Sequence, residues 1–192
     1  PWADQVAYRR FLRDEATKYG ALLPISEAAI VAAAACRQEL AGTRLLIPSD
    51  EALRFTLSKY HATQAARAAG LTIPPTVFVS DGSWPEDLEP LVSSLQALGY
   101  PLLLKHDNYL SDSGQYVRGK TQQVDSPLHA RAVLCELREQ RAQVIAQHAV
   151  PGHGAGVFLL RHKGQTLLRF AHERLHEVPY TGGVSSLRIS CH

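Results

Sequence analysis

Apolar residues recur at two spacings along the chain, and the spacing switches from segment to segment. Val6, Phe11, Leu12 and Ala16 lie among charges between Asp4 and Tyr19, which predicts an amphipathic helix closed by Gly20. Leu22-Leu23-Pro24-Ile25 is a short apolar segment. Ser26 is placed to cap a second helix, Glu27–Leu40, ended by Gly42. Its alanines, Ala28, Ala29 and Ala32–Ala35, predict close packing on a sheet. Leu45-Leu46-Ile47 reads as a brief strand stopped by Pro48. Strand and helix alternate so far, the signature of a parallel α/β unit whose first strands are missing.

Ser49 or Asp50 caps a helix to about Leu57, and Ser58–Ala69 continues or restarts it before Gly70. Ile73–Val79 enters a strand after Pro74 and Pro75. Pro85 is the expected first residue of a helix carrying Leu88, Leu91, Val92, Leu95 and Leu98, which Gly99 stops. Leu102-Leu103-Leu104 is a short buried strand with Lys105 where it ends, followed by the polar loop 106–114. Gln115–Val124 alternates loosely as a strand, and Asp125 or Ser126 caps a helix with Pro127 at its first position. Val144-Ile145-Ala146 is a strand ending at Gln147-His148. A glycine-rich loop, Pro151–Gly156, leads to strands Val157–Arg161 and Thr166–Phe170 joined at Lys163-Gly164. Thr181-Gly182-Gly183 breaks the chain before a last strand. The fold class is therefore α/β, with α+β character in the second half. Boundaries near Pro48–Asp50 and Gln143 divide the chain into 1–48, 49–142 and 143–192.

Composition narrows the function classes. A chain of 192 residues with 45% hydrophobic content can bury a sizeable core. A net charge of +2, from scattered basic residues, does not form the stripe expected of a nucleic-acid partner. Cys36, Cys135 and Cys191 are far apart, which predicts free thiols in a reducing compartment, and hence a cytoplasmic protein. No apolar run approaches the roughly 18 residues of a membrane span. The chain has no methionine and ends in Ile189-Ser190-Cys191-His192 within an apparent strand, which predicts a fragment cut at both ends.

Three stretches carry candidate chemistry. Lys105, a cation at a strand end before a small-residue loop, can hold a polyphosphate by a point charge and backbone N–H donors. Most such lysines are simply solvated. Gly152-His153-Gly154-Ala155-Gly156 can cradle a phosphate or serve as a flexible connection; it lies between strands, so it is not the dinucleotide fingerprint. His172-Glu173-Arg174-Leu175-His176 matches the zinc-peptidase pattern H-E-x-x-H, which works only on a helix. Its β-prone surroundings predict a strand instead, with His172, Arg174 and His176 on one face, suited to an anionic group or exposed to water.

The order of these motifs resembles the ATP-grasp superfamily, and most its carbamoyl-phosphate-synthase-like members. The resemblance runs through Ser58-Lys59, Ala69-Gly70, Ile73–Thr76 and Tyr100–Lys105 with Ser111, Ser113 and Gly114. It continues through Val144–Gly152, Arg174 and Pro179–Ser185, and covers about residues 22–192. It implies an ATP-grasp architecture incomplete at both ends. The segment 1–48 would be a remnant of an N-terminal α/β domain, 49–142 a lid subdomain and 143–192 the start of a C-terminal subdomain. It implies that Lys59 and Lys105 contact ATP phosphates, that Ser111, Ser113 and Gly114 close over them, and that Gln147, His148 and Val150 read adenine. Arg174 would be catalytic, facing the acyl phosphate, with Gly182, Gly183 and Ser185 near the substrate. The implied activity is an ATP-dependent carboxylate–amine ligase using magnesium, whose metal ligands would lie past residue 192, so that this fragment alone would be inactive. The partners would be ATP, a small carboxylate and an amine, with a homo-oligomer left open and neither nucleic acid nor membrane involved. Gln147 stands where the family usually has Glu, and His153-Gly154 where an acidic residue often holds the ribose. A non-catalytic nucleotide-binding or regulatory module and a zinc metallopeptidase are the alternative readings.

Overall fold

The computed structural model describes residues 4–80, 82–110, 116–140, 143–178 and 184–191. Two compact units emerge, Pro1–Ala149 and Val150–His192.

The first unit opens with helix α1 (Gln5–Ala16), strand β1 (Ala21–Leu22), helix α2 (Glu27–Ala35) and strand β2 (Arg44–Leu45). The side chains of Asp4 and Ser26 accept from Ala7 and Ala29 N–H groups and so cap the two helices. β1 and β2 pair in parallel, as the alternating pattern predicts. The alanines do allow close packing, but Ala32 and Ala33 meet Leu12 and Ala16 of α1 together with Leu22 and Leu45. The second helix is shorter than expected. From Cys36 the chain continues in tight turns that bury Leu40 in the same cluster.

Next come helix α3 (Asp50–Leu57) and helix α4 (Lys59–Ala68). They are separate helices because Ser58 has extended dihedrals and caps the second one, its hydroxyl accepting from His61 N–H. Strand β3 (Thr76–Val79) and helix α5 (Glu89–Leu98) follow. α5 begins later than expected: Pro85 lies outside it, and Pro90 is the proline in its first turn.

Strand β4 (Leu102–His106) includes Lys105 as its fourth residue and ends at His106. The expected strand Gln115–Val124 is two strands in two sheets. Strand β5 (Tyr109–Leu110) pairs with strand β6 (Tyr116–Val117), while strand β7 (Thr121–Val124) pairs with β4. Helix α6 (Pro127–Glu139) is capped by Ser126 with Pro127 in its first turn, as expected. Strand β8 (Val144–His148) completes an antiparallel four-stranded sheet of order β3-β8-β4-β7.

Alternation along these strands gives the sheet two different faces. Val79, Leu102, Leu104, Val144 and Ala146 join Leu95 of α5 and Leu134 of α6 in one buried cluster. The intervening residues, Phe78, Leu103, Lys105, Ile145 and Gln147, point to the opposite face. There Tyr60 of α4 packs edge-on against Phe78, ring centroids 5.3 Å apart.

The second unit is a three-stranded antiparallel sheet of strand β9 (Ala155–His162), strand β10 (Gln165–Val178) and strand β11 (Val184–Cys191), in the order β11-β10-β9. Lys163 and Gly164 both have positive φ, 47° and 78°, as a two-residue hairpin turn matched to strand twist requires. Most apolar side chains here are exposed, including Phe158, Leu159, Leu160 and Ile189. Among the described residues no helix is long and apolar enough to cross a membrane. Cys36, Cys135 and Cys191 are free thiols.

Candidate functional site

In the first unit the site is assembled on the sheet face away from α5 and α6. β4 and β8 run antiparallel with Leu103 opposite Gln147 and Lys105 opposite Ile145. This register places Lys105 and Gln147 diagonally on one face, within reach of each other. The Lys105 ammonium donates to Gln147 Oε1 at 2.6 Å. Gln147 Nε2 donates to Thr76 Oγ1 at 3.0 Å, and that hydroxyl donates to the Pro74 carbonyl at 2.6 Å. The Gln147 amide thus links Lys105 to Thr76 and orients the ammonium. The His148 N–H donates to Pro75 O at 3.1 Å and its Nδ1 lies 3.0 Å from Gly99 O. The Ala149 N–H donates to Pro101 O at 3.0 Å.

Lys59 reaches the same neighbourhood from the first turn of α4. Its ammonium donates to His106 O at 3.4 Å and to Asn108 Oδ1 at 3.3 Å. Burial pushes the Lys105 ammonium below the usual lysine range, and the charge of Lys59 pushes it further. Burial also lowers Lys59, with Arg118 adding to the effect, while Asp107 and Glu27 oppose it. Two half-buried ammonium groups that repel each other, with Arg118 nearby, make a concentrated positive centre suited to a polyanion. The structure therefore brings together the two lysines that the motif order pairs.

Several residues of this centre escaped the sequence reading. Asp107 is 4% exposed and accepts from the first turn of α4. Asn108 bridges Lys59, the Leu57 carbonyl (2.7 Å) and the Gly119 N–H (3.0 Å). Gly119 passes so close to β4 that any Cβ would overlap the carbonyl oxygens of His106 and Asp107. This contact breaks the expected continuous strand between β6 and β7. The Tyr116 hydroxyl donates to Glu27 Oε2 at 2.7 Å, and burial together with this bond raises its pKa. Adjoining Ser58 and Asn108 is a cavity of about 330 Å³ walled by Val31, Ala34, Leu53 and Leu57. The local signal that could have pointed to this group is the Asp-Asn pair directly after Lys105-His106. Ser111, Ser113 and Gly114 lie outside the described residues.

In the second unit the strand reading of His172–His176 holds, and with it the zinc-peptidase reading falls. The segment lies within β10, so the two imidazoles lack the helical spacing that a shared metal needs. Among the described residues no group of three His, Cys, Asp or Glu side chains converges to hold a metal ion. The expected common face extends only to Arg174. Register shifts on either side of His176 interrupt the alternation. They let Arg174 pair with Glu177, three residues on, at 3.0 Å. The Arg174 N–H donates to Gly154 O at 2.7 Å. His176 instead meets the Ser186 hydroxyl.

Two of the alternating glycines, Gly154 and Gly156, lie directly against side chains of β10. Gly156 lies opposite His172, whose Cε1 would sit 2.6 Å from a Cβ there. Gly154 lies beneath Arg174, whose Cδ would sit at 2.7 Å. They make room for two β10 side chains to cross β9. The His172 ring stacks with Phe158 and Phe170, centroids 5.2 and 6.0 Å away. A small cleft of about 140 Å³ borders Arg174, Glu177 and His153. Val150 is exposed, and Ser185 Oγ donates to Leu187 O at 3.1 Å. Gly182 and Gly183 lie outside the described residues.

No family model and no curated protein sequence matches the chain. Solved structures do. An ADP complex of purK, N5-carboxyaminoimidazole ribonucleotide synthetase, superposes with a TM-score of 0.58 at 18% identity, over 88% of this chain and 41% of that one. D-alanine–D-alanine ligase from Bacillus anthracis gives 0.61 at 15% identity, over 95% of this chain and 56% of that one. D-alanyl-alanine synthetase A from Vibrio cholerae O1 biovar eltor str. N16961 gives 0.51 at 20% identity, over 70% and 38%. All three are ATP-grasp ligases. The chain therefore has the ATP-grasp fold, and it spans about half the length or less of these structures. The likeness shows the fold and does not single out the carbamoyl-phosphate-synthase type.

Proposed function

We propose that the chain is the ATP-binding part of an ATP-dependent carboxylate–amine ligase that works through an acyl phosphate. The observation that carries this reading is the convergence of Lys59 and Lys105 on one sheet face, both half-buried and each donating from its ammonium to neutral oxygens. A fold alone does not name a function, but two desolvated cations in a strand-and-helix frame select for phosphates. Lys105, oriented by Gln147, and Lys59, oriented by Asn108, would bind the ATP phosphates. The substrate carboxylate would attack the γ-phosphorus, ADP would leave, and an amine would displace phosphate from the acyl phosphate. Magnesium, when bound, would offset charge on the transferred oxygens. The described residues assemble no cluster to hold it, and no step here is assigned to it.

Ser111, Ser113 and Gly114 are proposed to cover the phosphates, and Gln147, His148 and Val150 to border adenine. Arg174 is proposed to face the acyl phosphate, with Gly182, Gly183 and Ser185 near the substrate. The segments 1–48, 49–142 and 143–192 correspond in this reading to an N-terminal remnant, a lid and the start of a C-terminal subdomain. The motif order favours a carbamoyl-phosphate-synthase-like ligase, and the three free thiols favour a reducing compartment such as the cytoplasm. Calorimetric titration of the complete gene product with ATP, followed by an ADP-release assay over a panel of acids and amines, tests this. Acid-dependent ADP release supports the ligase. Nucleotide binding without any ADP release would favour a regulatory module, and no nucleotide binding would overturn the proposal.

A further inference from the structure

We infer that Asp107 is the positioning residue of the phosphate site: it fixes the first turn of α4, and through it the Lys59 ammonium, against the end of β4. This inference rests on the ATP-binding reading above and goes beyond it, because nothing in the motif order assigns a role to Asp107.

The geometry is specific. The Asp107 carboxylate lies 48 residues along the chain from Lys59, yet its Oδ1 accepts the Lys59 backbone N–H at 2.6 Å. Its Oδ2 accepts from the Ser58 hydroxyl and from the Tyr60 N–H at 3.4 Å. Its own N–H donates to Gln143 O at 2.8 Å, so the residue is anchored at both ends. The first N–H groups of a helix have no partner within it, and an anion there also meets the positive end of the helix dipole. Ser58 meets only one of those N–H groups, that of His61. Asp107 takes the two before it.

The Ser58 cap fixes where α4 starts, but its extended dihedrals end α3 there, so no continuous helix fixes how α4 sits against β4. Asp107 ties that junction to the end of β4, and Asn108 adds a second tie by bonding both Leu57 O and the Lys59 ammonium. Asp107 also follows Lys105 by two residues, directly after β4 ends at His106. One continuous stretch of chain therefore sets the places of both cations. A carboxylate paired with the Lys59 side chain would neutralise it, but this one is spent on backbone and hydroxyl donors. The ammonium donates instead to the neutral oxygens of His106 and Asn108.

A double-mutant cycle on ATP affinity, measured by calorimetry in the complete gene product, tests the inference. Asp107→Asn keeps the shape of the side chain but removes its charge. It is expected to weaken ATP binding about tenfold. Because Asp107 acts through Lys59, adding it to Lys59→Ala should cause little further loss. Ser58→Ala removes one donor and leaves the carboxylate, and should give a smaller loss that also vanishes in the Lys59→Ala background. This second variant decides the matter if Asp107→Asn does not fold. Losses that add to that of Lys59→Ala, or unchanged affinity in folded Asp107→Asn, would overturn the inference. Lys105→Ala separates the two levels. If it weakens binding while Asp107→Asn does not, only the positioning role fails. If neither Lys105→Ala nor Lys59→Ala matters, the ATP reading itself fails and this role with it.

Discussion

Lys105 in the first unit and Arg174 in the second are both cations on β-strands, and they are held differently. Lys105 sits on a central strand, and a chain of hydrogen bonds through Gln147 and Thr76 ends at a backbone carbonyl. Its neighbour Lys59 is tied by residues about 48 positions away. Arg174 is held by contacts within its own three-stranded sheet, to Glu177 and Gly154. Opposite its pairing faces, the first sheet buries Leu102 and Leu104 completely or nearly so, whereas Phe158 and Leu160 of the second are more than half exposed. A site built on a buried frame transmits any distortion of that frame to its charges. A site held by local pairing feels mainly its own neighbours.

The largest expected effect that would break this contrast is on the frame itself. Gly119→Ala forces a methyl group into the carbonyls of His106 and Asp107, and should cost about 3 kcal/mol of stability in chemical denaturation. If stability is unchanged, the close approach does not constrain the frame. Gly154→Ala in the second unit meets side-chain atoms of Arg174 and Glu177, which can move aside. Its stability loss should therefore be smaller.

Lys105→Ala should weaken ATP binding by about 2 kcal/mol, the usual worth of a hydrogen bond to a charged group. Arg174→Ala should lower turnover more than it lowers ATP affinity. Equal losses in both would place Arg174 with the phosphates and dissolve the distinction between the two cations.

The smallest effect is in pH dependence. Lys105 and Lys59 are both lowered, chiefly by burial. The cationic forms bind phosphate, so ATP affinity should fall as pH rises through the lowered values, below the ordinary lysine range. Stability of the ligand-free protein should move the other way. The unfolded chain holds more protons in that window, so stability rises with pH there. Calorimetry and thermal melts across the alkaline range measure both, and parallel trends would contradict the assignment.

Much of the fold was legible because local chemistry decides it. The serines at positions 26, 49, 58 and 126 each cap the helix that follows, and Gly99 and Lys163-Gly164 stop or turn the chain where they should. Lys59 and Lys105 were legible as a pair only through motif order. What remained hidden depends on pairing between distant segments. Gly119 looks like any strand glycine until β4 lies against it, and Asp107 looks like a loop residue until α4 arrives. The bulge around His176 left no trace in the alternation of His172, Arg174 and His176. Nor did Gly154 and Gly156 announce that they serve the side chains of another strand.

The neutral partner of Lys105 has one more consequence. A glutamate at position 147 would cancel the lysine charge within the protein, whereas glutamine leaves it in place. Lys105 and Lys59 thus repel each other within the first unit, and Asp107 and Glu27 offset the charge only at Lys59. An anion that fills the gap discharges this repulsion as well as making its own bonds. The phosphate tail of a nucleotide would then behave as a missing structural counter-ion, raising the melting temperature in step with its concentration.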